Sequence, residues 1–176
     1  MSETSPANGA ATDAQPAGPT FSLDKLYVKD VSFEAPSAPQ VFVIPPPSEP
    51  QLQMNLAQSV QRLGETAYEV QLDITITCAV EDKTLYLAEV KQAGLFTLAG
   101  FDPQTLDAVL GTLCPTALYP YARQTIGDMV QAGGFPPFLL QPLNFESLYA
   151  ESLRQRAAQQ QPIDTLGSGT ETAGNA

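Results

Sequence analysis

The sequence predicts an α+β domain: a four-stranded antiparallel sheet with two long helices packed on one face. Three observations carry this. Tyr68, Val70, Leu72, Ile74, Ile76, Cys78 and Val80 alternate with Glu69, Gln71, Asp73, Thr75 and Thr77, the period of a half-buried strand. The turn EDK at 81–83 leads into TLYLAEVKQAGLFTL, so 68–92 reads as an antiparallel hairpin. After Gly100 the apolar period lengthens to that of a helix, and runs of strands followed by helices belong to the α+β class.

The elements follow in chain order. Residues 1–20 hold almost nothing to bury and read as a disordered tail, as do 159–176 apart from Ile163 and Leu166. One domain is thus expected over 21–158. FSLDKLYVKDVSFEAP (21–36) is a strand stopped by Pro36. APQVFVIPPPSEP (38–50) is too rich in proline for a sheet interior and crosses over as a loop. PQLQMNLAQSV then sets Leu52, Met54 and Leu56 on one face of another strand.

Asp102 reads as an N-cap with Pro103 at the first helical position, ahead of Leu106, Val109, Leu110 and Leu113. Pro115 interrupts this helix. Pro120 restarts or kinks a helix whose stripe is Tyr121, Ala122, Ile126, Met129 and Val130, with Gly133 and Gly134 as its left-handed cap. The stretch GGFPPFLLQPLNF (133–145) has no charge and three prolines, an apolar connector that can be neither helix nor strand for long. Asn144 caps a further helix with Phe145, Leu148, Tyr149 and Leu153 turned inward.

Composition narrows the function. With 19 acidic and 8 basic residues the net charge is −11, which disfavours binding to nucleic-acid phosphates or to an anionic membrane. Histidine is absent, which removes Ser-His-Asp and Cys-His catalysis and most zinc sites. Cys78 and Cys114 stand in no metal spacing and read as buried thiols in a reducing compartment. Neither a signal peptide nor a transmembrane run is visible, so a cytoplasmic protein is expected. No phosphate-binding loop is present; Glu69, Asp73 and the Glu81-Asp82 pair read as solvated carboxylates, and Arg123 as an ion-pair partner or a snorkelling cation.

What remains points to binding. The sheet face away from the helices has nothing to cover it. Strand parity puts Asp30 and Glu34 together with Leu26 and Val28, and Leu87 with Glu89: carboxylates among aliphatics, suited to solvent or to a basic partner. SFEAPSAPQVFV and GGFPPFLLQPLNF hold apolar groups on a proline-stiffened backbone, either as packing connectors or as walls of a groove.

The stretches YVKDVSFEAPSAPQVF, EVKQAGLFTLAG and LCPTALYPYARQTIGDMVQAGGFPPFLLQPLNFESLY resemble the SecB family of bacterial protein-export chaperones, over about 21–158. The resemblance implies a homotetramer, a dimer of dimers, with helices buried between dimers. It implies an ATP-independent holdase that binds unfolded precursor proteins and delivers them to SecA. It carries SecA docking to Asp30, Glu34, Leu87 and Glu89, and a client groove to Phe33, Phe42, Tyr119, Phe135, Phe138 and Leu140. It implies no enzyme activity, cofactor, metal, nucleic-acid partner or membrane insertion. A related chaperone of a toxin–antitoxin system and a non-catalytic oligomeric scaffold are the alternatives.

Overall fold

The computed structural model describes residues 18–159. The expected tails fall almost wholly outside the described residues, although Thr20 already opens the first strand and Gln159 closes the last helix. The strands are β1 (Thr20–Glu34), β2 (Gln51–Arg62), β3 (Ala67–Val80) and β4 (Lys83–Ala99), all antiparallel in the order β1-β4-β3-β2. The hairpin read at 68–92 therefore runs on to Ala99. Its turn holds Glu81 in the left-handed region, at φ 52°.

β3 keeps the alternation expected of it without a slip: every second residue from Tyr68 to Val80 is buried, and the residues between are half-exposed. β1 does not. Its pairing with β4 shifts between Leu23 and Lys25 and again between Val28 and Asp30, leaving Asp24 and Lys29 as extra residues in two β-bulges. Residues opposed across an antiparallel pair share a face. Leu26 and Val28 oppose Gly94 and Gln92, on the helix side, whereas Asp30 and Glu34 oppose Lys91 and Leu87, on the other. The single face read from parity is thus split. A bulge adds one residue, and one residue exchanges the faces of everything beyond it.

The crossover from β1 to β2 is not wholly loop, since α1 (Gln40–Val43) forms a single turn within it. Beyond the sheet come α2 (Pro103–Gly111), α3 (Leu113–Ala132) and α4 (Phe145–Gln159). Asp102 caps α2 by accepting from the N–H groups of Gln104 and Thr105, each at 3.0 Å. Pro115 does not break the chain's helical course. It sits in the first turn of α3, where its missing N–H is not needed, and the break falls at Thr112. Pro120 lies inside α3. Gly134, not Gly133, takes the left-handed conformation, at φ 85°. Asn144 caps α4 as expected, its Oδ1 accepting from Ser147 N–H at 3.0 Å.

The core lies between α3 and the two central strands. Cys114, Leu118, Ala122, Ile126 and Val130 recur every four residues along α3, all buried against the inner face of β3 and β4. Gly94 permits the close approach: a Cβ there would stand 2.8 Å from Leu118 Cδ2. The second long helix differs from expectation. α4 leans on α2 and α3, and of its apolar residues only Phe145 is buried; Leu148 and Leu153 are exposed. Tyr121 of α3 is exposed as well. Because the helices sit over β3 and β4, the inner face of edge strand β2 is left open at Leu52, Met54 and Val60.

Candidate functional site

Two surfaces on opposite sides of the sheet collect the residues of interest. On the helix side, the end of β1, the crossover and the loop after α3 converge above the β4 end of the hairpin. Phe135 is the hub. Its ring lies 4.7 Å from Tyr86, 5.2 Å from Phe42 and 6.2 Å from Phe33, centroid to centroid, and Phe33 stacks on Tyr86 at 5.9 Å. Residues more than 100 positions apart in the chain meet here. Gly133 admits the contact, because a Cβ would stand 2.3 Å from the Phe33 ring.

Beside this cluster lies a cavity of about 410 Å³, walled by Val41 and Phe42 of α1, Leu52 of β2, Tyr86 of β4, and Phe135 and Phe138 of the loop. Its walls are almost entirely apolar, of the kind that accepts a hydrophobic side chain. Phe42 is 51 % exposed at its mouth, while Phe135 is 8 % exposed as its floor. A second hollow of about 680 Å³ runs on beside β2, between Met54 and Val60 on one side and Leu110, Leu148 and Tyr149 on the other.

Of the six residues carried to the groove, the structure brings together Phe33, Phe42, Phe135 and Phe138. It does not bring Tyr119 or Leu140 to the cavity. Tyr119 is buried in α3, its ring edge-on to Phe145 at 5.7 Å and its hydroxyl donating to the Gln141 carbonyl at 2.5 Å. Leu140 is 3 % exposed and belongs to the core. The Tyr119 bond pins the loop to α3 and Leu140 anchors it in the core, because an irregular segment needs anchors where it has no ladder of its own. Sequence reasoning missed Tyr86 and Leu52. Tyr86 shares the helix-side parity of Val90, and Leu52 that of Met54, so the signal was there.

The opposite face carries the acidic residues. Glu89 sits at its centre on β4, flanked by Ser32 of β1 and Thr75 of β3. Its carboxylate accepts from Ser32 Oγ at 3.3 Å and from Thr75 Oγ1 at 3.2 Å. Asp30 pairs with Lys91 at 3.7 Å, both side chains about half exposed, so the pair contributes little to stability. Glu34 and Leu87 oppose each other at one end. Asp30, Glu34, Leu87 and Glu89 therefore do share one face, with Leu26 and Val28 excluded from it.

The same face holds a tighter cluster that sequence reading passed over. Glu69 accepts from the Tyr27 hydroxyl and from Lys29 Nζ at 3.0 Å. These bonds, Tyr27 first, hold the Glu69 carboxyl below its ordinary value of 4.5. Burial, then the bond to Glu69, pushes the Tyr27 hydroxyl up to about 12. A depressed carboxylate stabilises the fold above its ordinary value, and that contribution is lost as pH falls through the folded value. A raised phenol contributes below about 10 and loses it as pH rises through about 12. Glu69→Gln should therefore flatten the acid limb of stability against pH, measured as urea midpoints below about pH 5.

Among the described residues no His, Cys, Asp or Glu cluster suits a metal, and no helix is long and apolar enough to cross a membrane. Burial lifts both thiols, Cys114 to about 12. Arg123 has a buried Nε with no hydrogen-bond partner and forms no ion pair among the described residues.

A family described as preprotein translocase subunit SecB matches residues 14–156, well over half of the chain. The chain belongs to the SecB family. The protein-export protein SecB of Stenotrophomonas maltophilia is 57 % identical over 170 residues, 96 % of each chain, and that of Xylella fastidiosa is 51 % identical over the same shares. Among solved structures, a Mycobacterium tuberculosis SecB-like chaperone, in complex with a ChAD peptide from an antitoxin, superposes with a TM-score of 0.57 at 19 % identity. It covers 70 % of this chain and 90 % of its own, and at that identity it speaks to the fold alone. The family is thus one whose curated members here carry the name protein-export protein.

Proposed function

We propose that this protein is an ATP-independent holdase that binds unfolded secretory precursors in the aromatic groove and delivers them to SecA in the cytoplasm. The observation that carries the reading is the groove itself: Phe42 held half-exposed over Phe135 and Tyr86, on a chain of an export-chaperone family. An unfolded precursor offers many apolar segments. A cavity that takes one or two large side chains binds each modestly, and several such grooves in one assembly add their effects through effective concentration.

The assembly is a homotetramer, a dimer of dimers. Leu113 and Tyr121 of α3 and Leu148 and Leu153 of α4 support it, as large apolar side chains left exposed on the helix layer of one protomer. Docking of SecA falls to the acidic outer face through Asp30, Glu34, Leu87 and Glu89. Since that face and the groove lie on opposite sides of the sheet, client and SecA bind together, and release needs no nucleotide.

The decisive test is aggregation. Purified protein, at one tetramer per slow-folding precursor and without ATP, should suppress light scattering of the diluted precursor. Scattering that proceeds unchanged rejects the holdase reading. Sizing of the same sample at the mass of a monomer rejects the assembly.

A further inference from the structure

Gln92 is a polar side chain where the sheet otherwise buries carbon. It lies on the helix side of β4, between Val90 and Gly94, and is 2 % exposed. A buried amide is unfavourable unless it is hydrogen-bonded, and alternation alone would place Val, Leu or Ile here. Its Nε2 donates to the Tyr27 carbonyl of β1 at 2.8 Å. Tyr27 and Val28 are the last residues in register before the bulge at Lys29, and Gln92 is the residue that Val28 opposes.

What the bulge accomplishes depends on where it lies. Beyond it, Val31 and Phe33 turn to the helix side, opposite Val90 and Ala88, and Asp30, Ser32 and Glu34 turn outward, opposite Lys91, Glu89 and Leu87. Were Lys29 to take a paired position in the ladder instead of bulging, each of these five would exchange faces. Phe33 would leave the aromatic cluster, and carboxylates would point into the core. One backbone irregularity thus sets the groove wall and the acidic face together.

We propose that Gln92 is the positioning residue that holds this bulge, tying the Tyr27 carbonyl to β4 so that the extra residue is taken up at Lys29 and nowhere else. Its amide reaches β1 just before the second of the two places where the β1–β4 ladder is interrupted. The consequence for partner binding rests on reading the outer face as a docking surface; the consequence for register does not.

The test exploits the arithmetic of the bulge. Deleting Lys29 removes the extra residue and restores plain alternation, with Asp30 still outward and Val31 still inward. Gln92 then has nothing to hold. The probe of register is a disulfide between cysteines placed at Ser32 and Glu89, which oppose each other directly. Gln92→Met keeps volume and removes the donor. In the parent background it should lower the yield of that disulfide about tenfold, since a lost buried bond is worth about that in an equilibrium. In the Lys29-deleted background the same substitution should leave the yield within about twofold.

A parallel set without the cysteines reads affinity for SecA and for unfolded precursor by calorimetry. Loss of SecA binding with Gln92→Met, and its return on deleting Lys29, supports positioning. Unchanged disulfide yield in the parent background overturns the proposal. So does a loss that deletion of Lys29 does not rescue, which would make Gln92 a packing residue only. A yield that follows the bulge while SecA binding responds neither to it nor to Glu89→Arg upholds Gln92 and rejects the docking reading.

Discussion

Phe135→Ala should lower the unfolding free energy by about 3–5 kcal/mol, the range for truncating a buried phenylalanine. Three rings rest on this one side chain, so its loss opens a cavity that Phe33, Phe42 and Tyr86 cannot all collapse into. Their mutual edge and face contacts add to the loss. Phe42→Ala separates stability from binding. Phe42 is half-exposed at the mouth, on a single helical turn with no buried residue. Its removal should leave the unfolding free energy within about 0.5 kcal/mol, as exposed substitutions do. Precursor affinity per groove should nevertheless fall about tenfold, since a half-buried aromatic anchor is worth one to two kcal/mol. Denaturant titration and peptide titration of the two variants check both statements. Equal effects of Phe42→Ala and Phe135→Ala on stability would mean that the mouth is part of the core.

Glu89→Arg should weaken SecA at least about tenfold while precursor affinity stays within about twofold. Glu89 is central to its face, between Ser32 and Thr75, with Asp30 and Glu34 on the neighbouring strand. Reversal removes one favourable charge, adds an unfavourable one, and places it beside Lys91 on the same strand face. The loss should be larger at low ionic strength, where surface charges act over a longer range. The groove is shielded from this change by the thickness of the sheet. Titration of both partners at two salt concentrations checks the pair of outcomes. Equal loss of both partners would indicate a damaged sheet rather than a damaged face.

Much of this architecture could be read from residue order. The spacing of Tyr68 to Val80 is a pleat written in side chains, and β3 follows it without exception. Asp102 and Asn144 announced helix starts through short side chains that satisfy free N–H groups, and both do so. The bulges of β1 were legible too. Phe21, Leu23, Leu26, Val28, Val31 and Phe33 are spaced two, three, two, three, two, and the pairs Asp24-Lys25 and Lys29-Asp30 mark each extra residue. A strict period of two passes over that signal, which is how Leu26 and Val28 came to be grouped with Asp30 and Glu34.

Local periodicity by itself determined which segments are strands and helices, because pleat and helix each impose a repeat on neighbouring residues. The quoted motifs by themselves determined the family. Only the tertiary structure decided which apolar residues share a surface. Phe33, Phe42, Tyr86 and Phe135 belong to a strand end, a crossover turn, a central strand and a loop, and no repeat connects them. Likewise nothing local distinguishes Tyr119 and Leu140, which turn inward, from Phe42, which does not. Their directions follow from how α3 seats on β3 and β4 and from where the connecting loops are anchored. Those are long-range closures, set by the packing of the whole core rather than by the residues on either side.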